Sequence, residues 1–103
     1  MSTKTDTDVA VKTRVNTQVS PPRDHKVIYL NDDETPMEFV VQSLIEVFDH
    51  NYDSANDLTM RVHQEGSAVV AVLPFELAEH KGVQVTVSAR NNGYPLQVKI
   101  EPE

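Results

Sequence analysis

The chain has 103 residues and no Cys, with 9 Lys and Arg against 16 Asp and Glu for a formal charge of −7. That size suits one small domain without a separate cofactor domain, and the lack of Cys excludes disulfide frameworks, thiolate catalysis and Cys-ligated zinc. The anionic balance opposes general nucleic-acid binding, and no apolar run reaches bilayer length and no signal-peptide pattern opens the chain, so neither a nucleic-acid nor a membrane partner is expected.

Charge divides the chain in two. Residues 1–24 hold four basic and three acidic side chains, and residues 25–103 hold five and thirteen. The first stretch is rich in Ser, Thr, Asp and Val, lacks aromatic residues and finishes at Pro21-Pro22. It has too little apolar surface to offset the entropy of ordering, so residues 1–24 are expected to be a flexible N-terminal extension. Its acidic residues fit a transit peptide poorly, which favours a bacterial cytoplasm over a plastid.

Folded structure is expected from residue 25 to residue 103. Lys26–Leu30 is β-branched and apolar and runs into Asn31-Asp32-Asp33, a strand entering a turn. Thr35-Pro36-Met37-Glu38 reads as a helix start, with Thr35 as cap, Pro36 at the first helical position and Glu38 completing a capping box. Met37, Val40, Val41, Leu44, Val47 and Phe48 recur at helical spacing, ending near His50. A second helix is expected from Ser54 as N-cap to Gly66, followed by a strand over residues 67–73 that Pro74 breaks.

The next segment is ambiguous. Phe75, Leu77, Ala78, Val85 and Ala89 suit a third helix, yet Val83–Val87 alternates like a strand, and Gly82 weakens a helix by about 1 kcal/mol relative to Ala. Asn92-Gly93 makes a turn, and Leu96, Val98 and Ile100 alternate as a last strand. The expected fold is α+β in the order β-α-α-β-α-β, a small antiparallel sheet packed on three helices.

The densest polar cluster is Asn31-Asp32-Asp33-Glu34-Thr35, between a strand and a helix N-terminus. Turn chemistry and the helix dipole account for it by themselves. A cation site is the functional alternative, but the calcium-loop spacing is missing and no phosphate-binding loop supports magnesium. His63, in the last turn of the second helix, either stabilises the helix end as a cation or accepts a hydrogen bond through a neutral ring nitrogen. Zinc spacing is absent. Neither a metal nor a cofactor is expected.

These residues, taken together, resemble the ClpS family, small adaptors that hand proteins with destabilising N-terminal residues to the ClpA or ClpC unfoldase of a Clp protease. The likeness rests on Lys26-Val27-Ile28, Asn31-Asp32-Asp33, Thr35-Pro36-Met37-Glu38-Phe39-Val40, Val62-His63 with Gly66, Ala78-Glu79 with Lys81, Ala89-Arg90 and Tyr94-Pro95-Leu96. It spans about residues 21–103, and His63 falls 23 residues after Val40. The resemblance implies a helix across the ambiguous segment.

It also implies a site. Asn31, Asp33 and His63 would surround a substrate's α-ammonium group, with Asp32 and Thr35 nearby. An amide oxygen, a carboxylate and a neutral imidazole nitrogen suit a group with three donors and a positive charge. The first side chain (Phe, Tyr, Trp or Leu) would enter an apolar pocket walled by Tyr29, Met37, Val40, Thr59, Val62 and Leu96, and its burial would contribute roughly 1.5–3 kcal/mol. Glu76 and Lys81 would belong to the unfoldase-docking face, and the N-terminal extension would engage the unfoldase.

Three positions depart from the family pattern: Thr59 where a bulky apolar residue is usual, Tyr29 where an aliphatic one is common, and Glu34 where an aromatic one often stands. They suggest a divergent adaptor with an altered preference among first residues. The competing class is a small hydrolase or acid–base enzyme using His63 with Asp32 and Asp33, for which no nucleophile or metal framework is present. The expected protein is a monomeric, non-catalytic binding module.

Overall fold

A computed structural model describes residues 23–103. Strand β1 covers Asp24–Leu30, helix α1 Met37–Phe48, helix α2 Tyr52–Glu65, strand β2 Ser67–Pro74, helix α3 Phe75–Asn91 and strand β3 Gln97–Pro102. The order is the expected β-α-α-β-α-β. The strands form one antiparallel sheet, β2-β1-β3. β1 begins two residues ahead of Lys26, where the sequence placed its start, and Arg23 reaches the carbonyl of Glu103 while Glu103 N–H donates to the Asp24 carbonyl. These two residues, expected in the extension, therefore join the sheet end. The rest of that expected extension lies outside the described residues.

Alternation in β1 sends Val27 and Tyr29 into the core, where Val40, Leu44 and Val47 of α1, Ala55 and Val62 of α2, Ala68 and Val70 of β2 and Val85 of α3 also meet. The Tyr29 hydroxyl lies 2.7 Å from Ser43 Oγ, which itself donates to the Val40 carbonyl at 2.8 Å. Ser43 has one proton, so Tyr29 is the donor in that pair and both buried hydroxyls are satisfied.

Helix boundaries differ from the sequence reading in two places, each because another residue meets the end. At α1 the Thr35 hydroxyl does not cap; it donates to Asp32 Oδ2 at 2.8 Å, and Pro36 stands at the cap position. At α2 the cap is Asn51, whose side chain accepts from Ser54 N–H at 2.8 Å. The helix therefore starts at Tyr52, ahead of Ser54. Its far end is where the sequence places it: Gly66 takes φ +90°, a left-handed cap that glycine adopts without a Cβ penalty.

The segment that alternated like a strand is helical throughout. Ala78, Gly82, Val85 and Ala89 form the buried stripe of α3, whereas Val83 and Val87 face outward. Only the middle of the three valines points inward, so the period is helical. Gly82 lets α3 sit close to β3: a Cβ there would lie 3.3 Å from Ile100 Cδ1 and 3.5 Å from Val98 Cγ1.

Candidate functional site

The site forms where the end of β1, the start of α1 and the end of α2 converge. Asn31 N–H donates to the Gly66 carbonyl at 2.9 Å. That bond ties the loop after β1 to the turn after α2, and so brings residues 31–33 next to His63. A cavity of about 400 Å³ opens there, lined by Leu30, Asn31, Asp32, Asp33, Thr35, Met37, Val40, Thr59, Val62, His63 and Leu96. Polar side chains come from the loop and from α2, and apolar ones from Leu30 at the end of β1, the helix faces and Leu96.

Asp32 organises the loop. Its Oδ1 accepts from Glu34 N–H at 2.8 Å and Thr35 N–H at 2.7 Å, and its Oδ2 accepts from the Thr35 hydroxyl. Partial burial works to raise its carboxyl pKa, but these hydrogen bonds and the charge of Arg90 outweigh burial and hold it below the usual value. Both oxygens are thus engaged within the loop. Asp32 and Thr35, expected near the ammonium group, line the cavity, and their hydrogen bonds to one another brace the loop that carries Asn31 and Asp33.

Asn31, Asp33 and His63 differ from it. All three are exposed, and among the described residues none has a side-chain hydrogen-bond partner, unlike Asp32 beside them. One amide, one carboxylate and one imidazole therefore meet at a cavity mouth with acceptor capacity to offer.

The apolar wall requires one correction. Tyr29, expected in the pocket, is wholly buried behind it with its hydroxyl on Ser43, and burial pushes its phenol pKa up, opposed by that hydrogen bond. Leu30 lines the cavity instead. The reason is the two-residue period of a strand: if Val27 and Tyr29 fill the core, Leu30 cannot share their direction. That alternation was present in the sequence and would have found Leu30.

The other five expected wall residues line the cavity. Val40, Thr59, Val62 and Leu96 are buried and Met37 stands at the rim, 38% exposed. The Thr59 hydroxyl donates to the Ala55 carbonyl at 2.8 Å, so this polar residue brings no uncommitted donor to the wall. A second residue escaped the sequence reading. Arg90 Nη1 donates to the carbonyls of Tyr94 at 2.9 Å and Leu96 at 2.8 Å, holding the segment that carries Leu96. Phe39 packs edge-on against Tyr94, with ring centroids 5.2 Å apart, from the helix side.

On α3, Glu76 is exposed in the first turn. Lys81 is half-buried, and its Nζ donates to the Val47 carbonyl near the end of α1 at 2.7 Å. That bond ties its ammonium group to the end of α1, on the same helix as Glu76. Among the described residues no group of three or more His, Asp and Glu side chains is placed to hold a metal ion, and no helix is long and apolar enough to cross a membrane.

Fold and site together define a recognition domain, in which polar acceptors crown an apolar cavity beside a helix start. The family described as ATP-dependent Clp protease adaptor protein ClpS matches residues 20–99. Relatives include the ATP-dependent Clp protease adapter proteins ClpS of Treponema denticola, 44% identical over 78% of this chain and 79% of that protein, and of Zymomonas mobilis, 43% identical over 93% and 90%. The structure of Agrobacterium tumefaciens ClpS2 bound to L-phenylalaninamide is similar with a TM-score of 0.78 and 41% identity, covering 81% of this chain and all of that one. The chain belongs to the ClpS family.

Proposed function

We propose that this chain is an N-degron adaptor: it binds proteins that begin with a bulky hydrophobic residue and delivers them to a Clp unfoldase for ATP-dependent proteolysis. The observation that carries the reading is the pairing of three uncommitted acceptors, Asn31, Asp33 and His63, with the apolar cavity beneath them. An α-ammonium group matches that mouth in charge and donor number, and a carboxylate makes the contact charge-assisted. An acetylated terminus brings neither the charge nor the three donors. Phenylalaninamide, bound by the Agrobacterium relative, has a free α-amino group and an aromatic side chain, the chemistry that this mouth and cavity suit.

His63 must present a neutral ring to accept from an ammonium group, so acidification that protonates it opposes binding. Asp32 and Thr35 hold the loop, and Leu30, Met37, Val40, Thr59, Val62 and Leu96 receive the first side chain. With Thr59 tied back to its helix and Met37 at the rim, the pocket's preference among Phe, Tyr, Trp and Leu shifts from that of family members with a bulky residue at position 59. The domain binds without turnover and works as a monomer in the bacterial cytoplasm. Its unfoldase is ClpA or ClpC, met through the face bearing Glu76 and Lys81 and through the N-terminal extension.

The test is fluorescence anisotropy with peptides that differ only in the first residue, each with a free and an acetylated terminus. Binding confined to free termini with large apolar first residues, and recovery of intact peptide, is the expected result. Equal affinity for acetylated peptides, or cleavage of the peptide, overturns the reading.

A further inference from the structure

A second opening adjoins the cavity and shares its rim. Between α1 and α2 lies a groove of about 270 Å³, lined by Met37, Glu38, Val41, Gln42, Tyr52 and Asn56. Met37 belongs to both linings. On α2, Asn56 in the groove and Thr59 in the cavity are three residues apart, and so neighbours on the helix surface. The two openings are therefore continuous along both helices. Met37 and Val41 give the groove an apolar floor, and Tyr52, 64% exposed, presents its ring to solvent beside them.

The rim of the groove is anionic. Among the described residues Glu38 is the only charged side chain in its lining, and no Lys or Arg lines it. Gln42 Nε2 donates to Glu46 Oε2 at 2.6 Å, which sets a second carboxylate beside the rim and leaves the Gln42 amide oxygen as an acceptor. Such a surface suits a long cationic side chain. A guanidinium is planar and always charged, and it stacks on an aromatic face while its donors reach carboxylate and amide oxygens. The methylene stem that carries it covers apolar surface such as Met37 and Val41. An acidic side chain meets like charge there and no cation.

We propose that this groove is a subsite for the third residue of the substrate chain and that it selects arginine there. The assignment rests on the adaptor reading, in which Asn31, Asp33 and His63 hold the α-ammonium group and the cavity receives the first side chain. Its register follows from the geometry of an extended peptide. Side chains alternate in direction, so when the first enters the cavity the second points away and the third returns to the protein surface. The first and third residues of such a chain are about 7 Å apart. Met37 at the cavity rim and Val41 in the groove are four helical residues apart, about 6 Å along α1, so the two repeats match. The direction also fits. His63 lies in the last turn of α2 and Tyr52 in its first, so a chain anchored by its amino group at His63 and running past Met37 travels toward Tyr52. Tyr52 and Glu38 are then specificity-determining positions that the pocket for the first side chain does not use.

The test is anisotropy at low salt on the full chain, with free-terminus peptides beginning Phe-Ala-Arg, Phe-Ala-Ala, Phe-Ala-Leu, Phe-Ala-Glu and Phe-Arg-Ala. Phe-Ala-Arg should bind roughly fivefold tighter than Phe-Ala-Ala, with Phe-Ala-Glu the weakest and Phe-Arg-Ala close to Phe-Ala-Ala. Tyr52→Ala removes the ring without altering charge and should bring the arginine-to-alanine ratio toward one, as should Glu38→Gln. Tyr52→Phe keeps the ring face and should retain most of the preference. An equal gain from arginine at the second and third positions, or a ratio unmoved by Tyr52→Ala, would reduce the effect to the general field of an anionic protein and overturn the subsite. Tighter binding of Phe-Ala-Leu than of Phe-Ala-Arg would overturn the choice of arginine. Binding of the free-terminus peptides with no dependence on the third residue overturns this inference alone, whereas failure of every free-terminus peptide to bind overturns the adaptor reading and the subsite with it.

Discussion

The two ends of α1 are built from similar polar residues and treat them in opposite ways. At its C-terminal end three polar side chains are paired within the chain: Lys81 donates to the Val47 carbonyl, His50 bridges Ser54 and Val70, and Asn51 caps α2. At its N-terminal end Asp32 and Thr35 satisfy one another, but Asn31, Asp33 and His63 stand at a cavity mouth without side-chain partners among the described residues. Pairing within the chain gives stability, because polar groups withdrawn from water need a partner. Acceptors gathered but left unpaired are available to a ligand. The contrast separates scaffold from site better than residue type does, since Asp32 and Asp33 are chemically identical neighbours.

Perturbing the two classes should therefore split stability from affinity. The largest effect is expected at Tyr29→Leu, which deletes a buried ring and its hydroxyl. It should cost about 3 kcal/mol of unfolding free energy, read by urea denaturation, with the ranking of first residues unchanged. A changed ranking would return Tyr29 to the pocket wall. Asp33→Ala should do the reverse, weakening peptide affinity roughly thirtyfold, or about 2 kcal/mol, at an unchanged Tm. Should Tm fall with affinity, Asp33 belongs to the scaffold and the contrast fails.

A smaller loss is expected at Lys81→Met, which removes the donor to Val47 while keeping the stem: about 1 kcal/mol in stability and none in peptide affinity. The smallest effect concerns acid. The Asp32 carboxyl is held below its usual pKa, so its contribution to stability is present above the unfolded value near 3.9 and is lost as pH falls further, through the lowered folded value. Asp32→Asn should flatten that part of the acid-unfolding curve. An unaltered curve would mean that the carboxylate charge does not hold the loop.

Much of the fold is legible in the sequence. β1, α1 and β2 follow from apolar period and punctuation, and the resemblance resolved α3, which Val83, Val85 and Val87 had left open. The cavity walls follow from the family resemblance except at Tyr29 and Leu30, where the alternation set by Val27 turns Tyr29 into the core and leaves Leu30 to the cavity. What escaped was competition among polar groups. Thr35 and Ser54 are both good caps by type, but the Thr35 hydroxyl donates to Asp32 and Asn51 takes the cap of α2. Such outcomes depend on which partner lies within about 3 Å, and spacing along the chain does not specify that.

Sequence alone determined the small anionic domain, its element order and the set of residues from which a site is made. Tertiary structure decided their roles. The bond from Asn31 to Gly66 closes two distant turns onto one another, and only after that closure do Asn31, Asp33 and His63 share one mouth while Asp32 turns into the loop. The physical reason lies in the range of the forces. Apolar periodicity is local and written in order along the chain, whereas a hydrogen bond is short, directional and indifferent to sequence distance. The charge of −7 could exclude functions from the outset; selecting one required knowing that a single carboxylate, Asp33, meets Asn31 and His63 at the mouth of an apolar cavity.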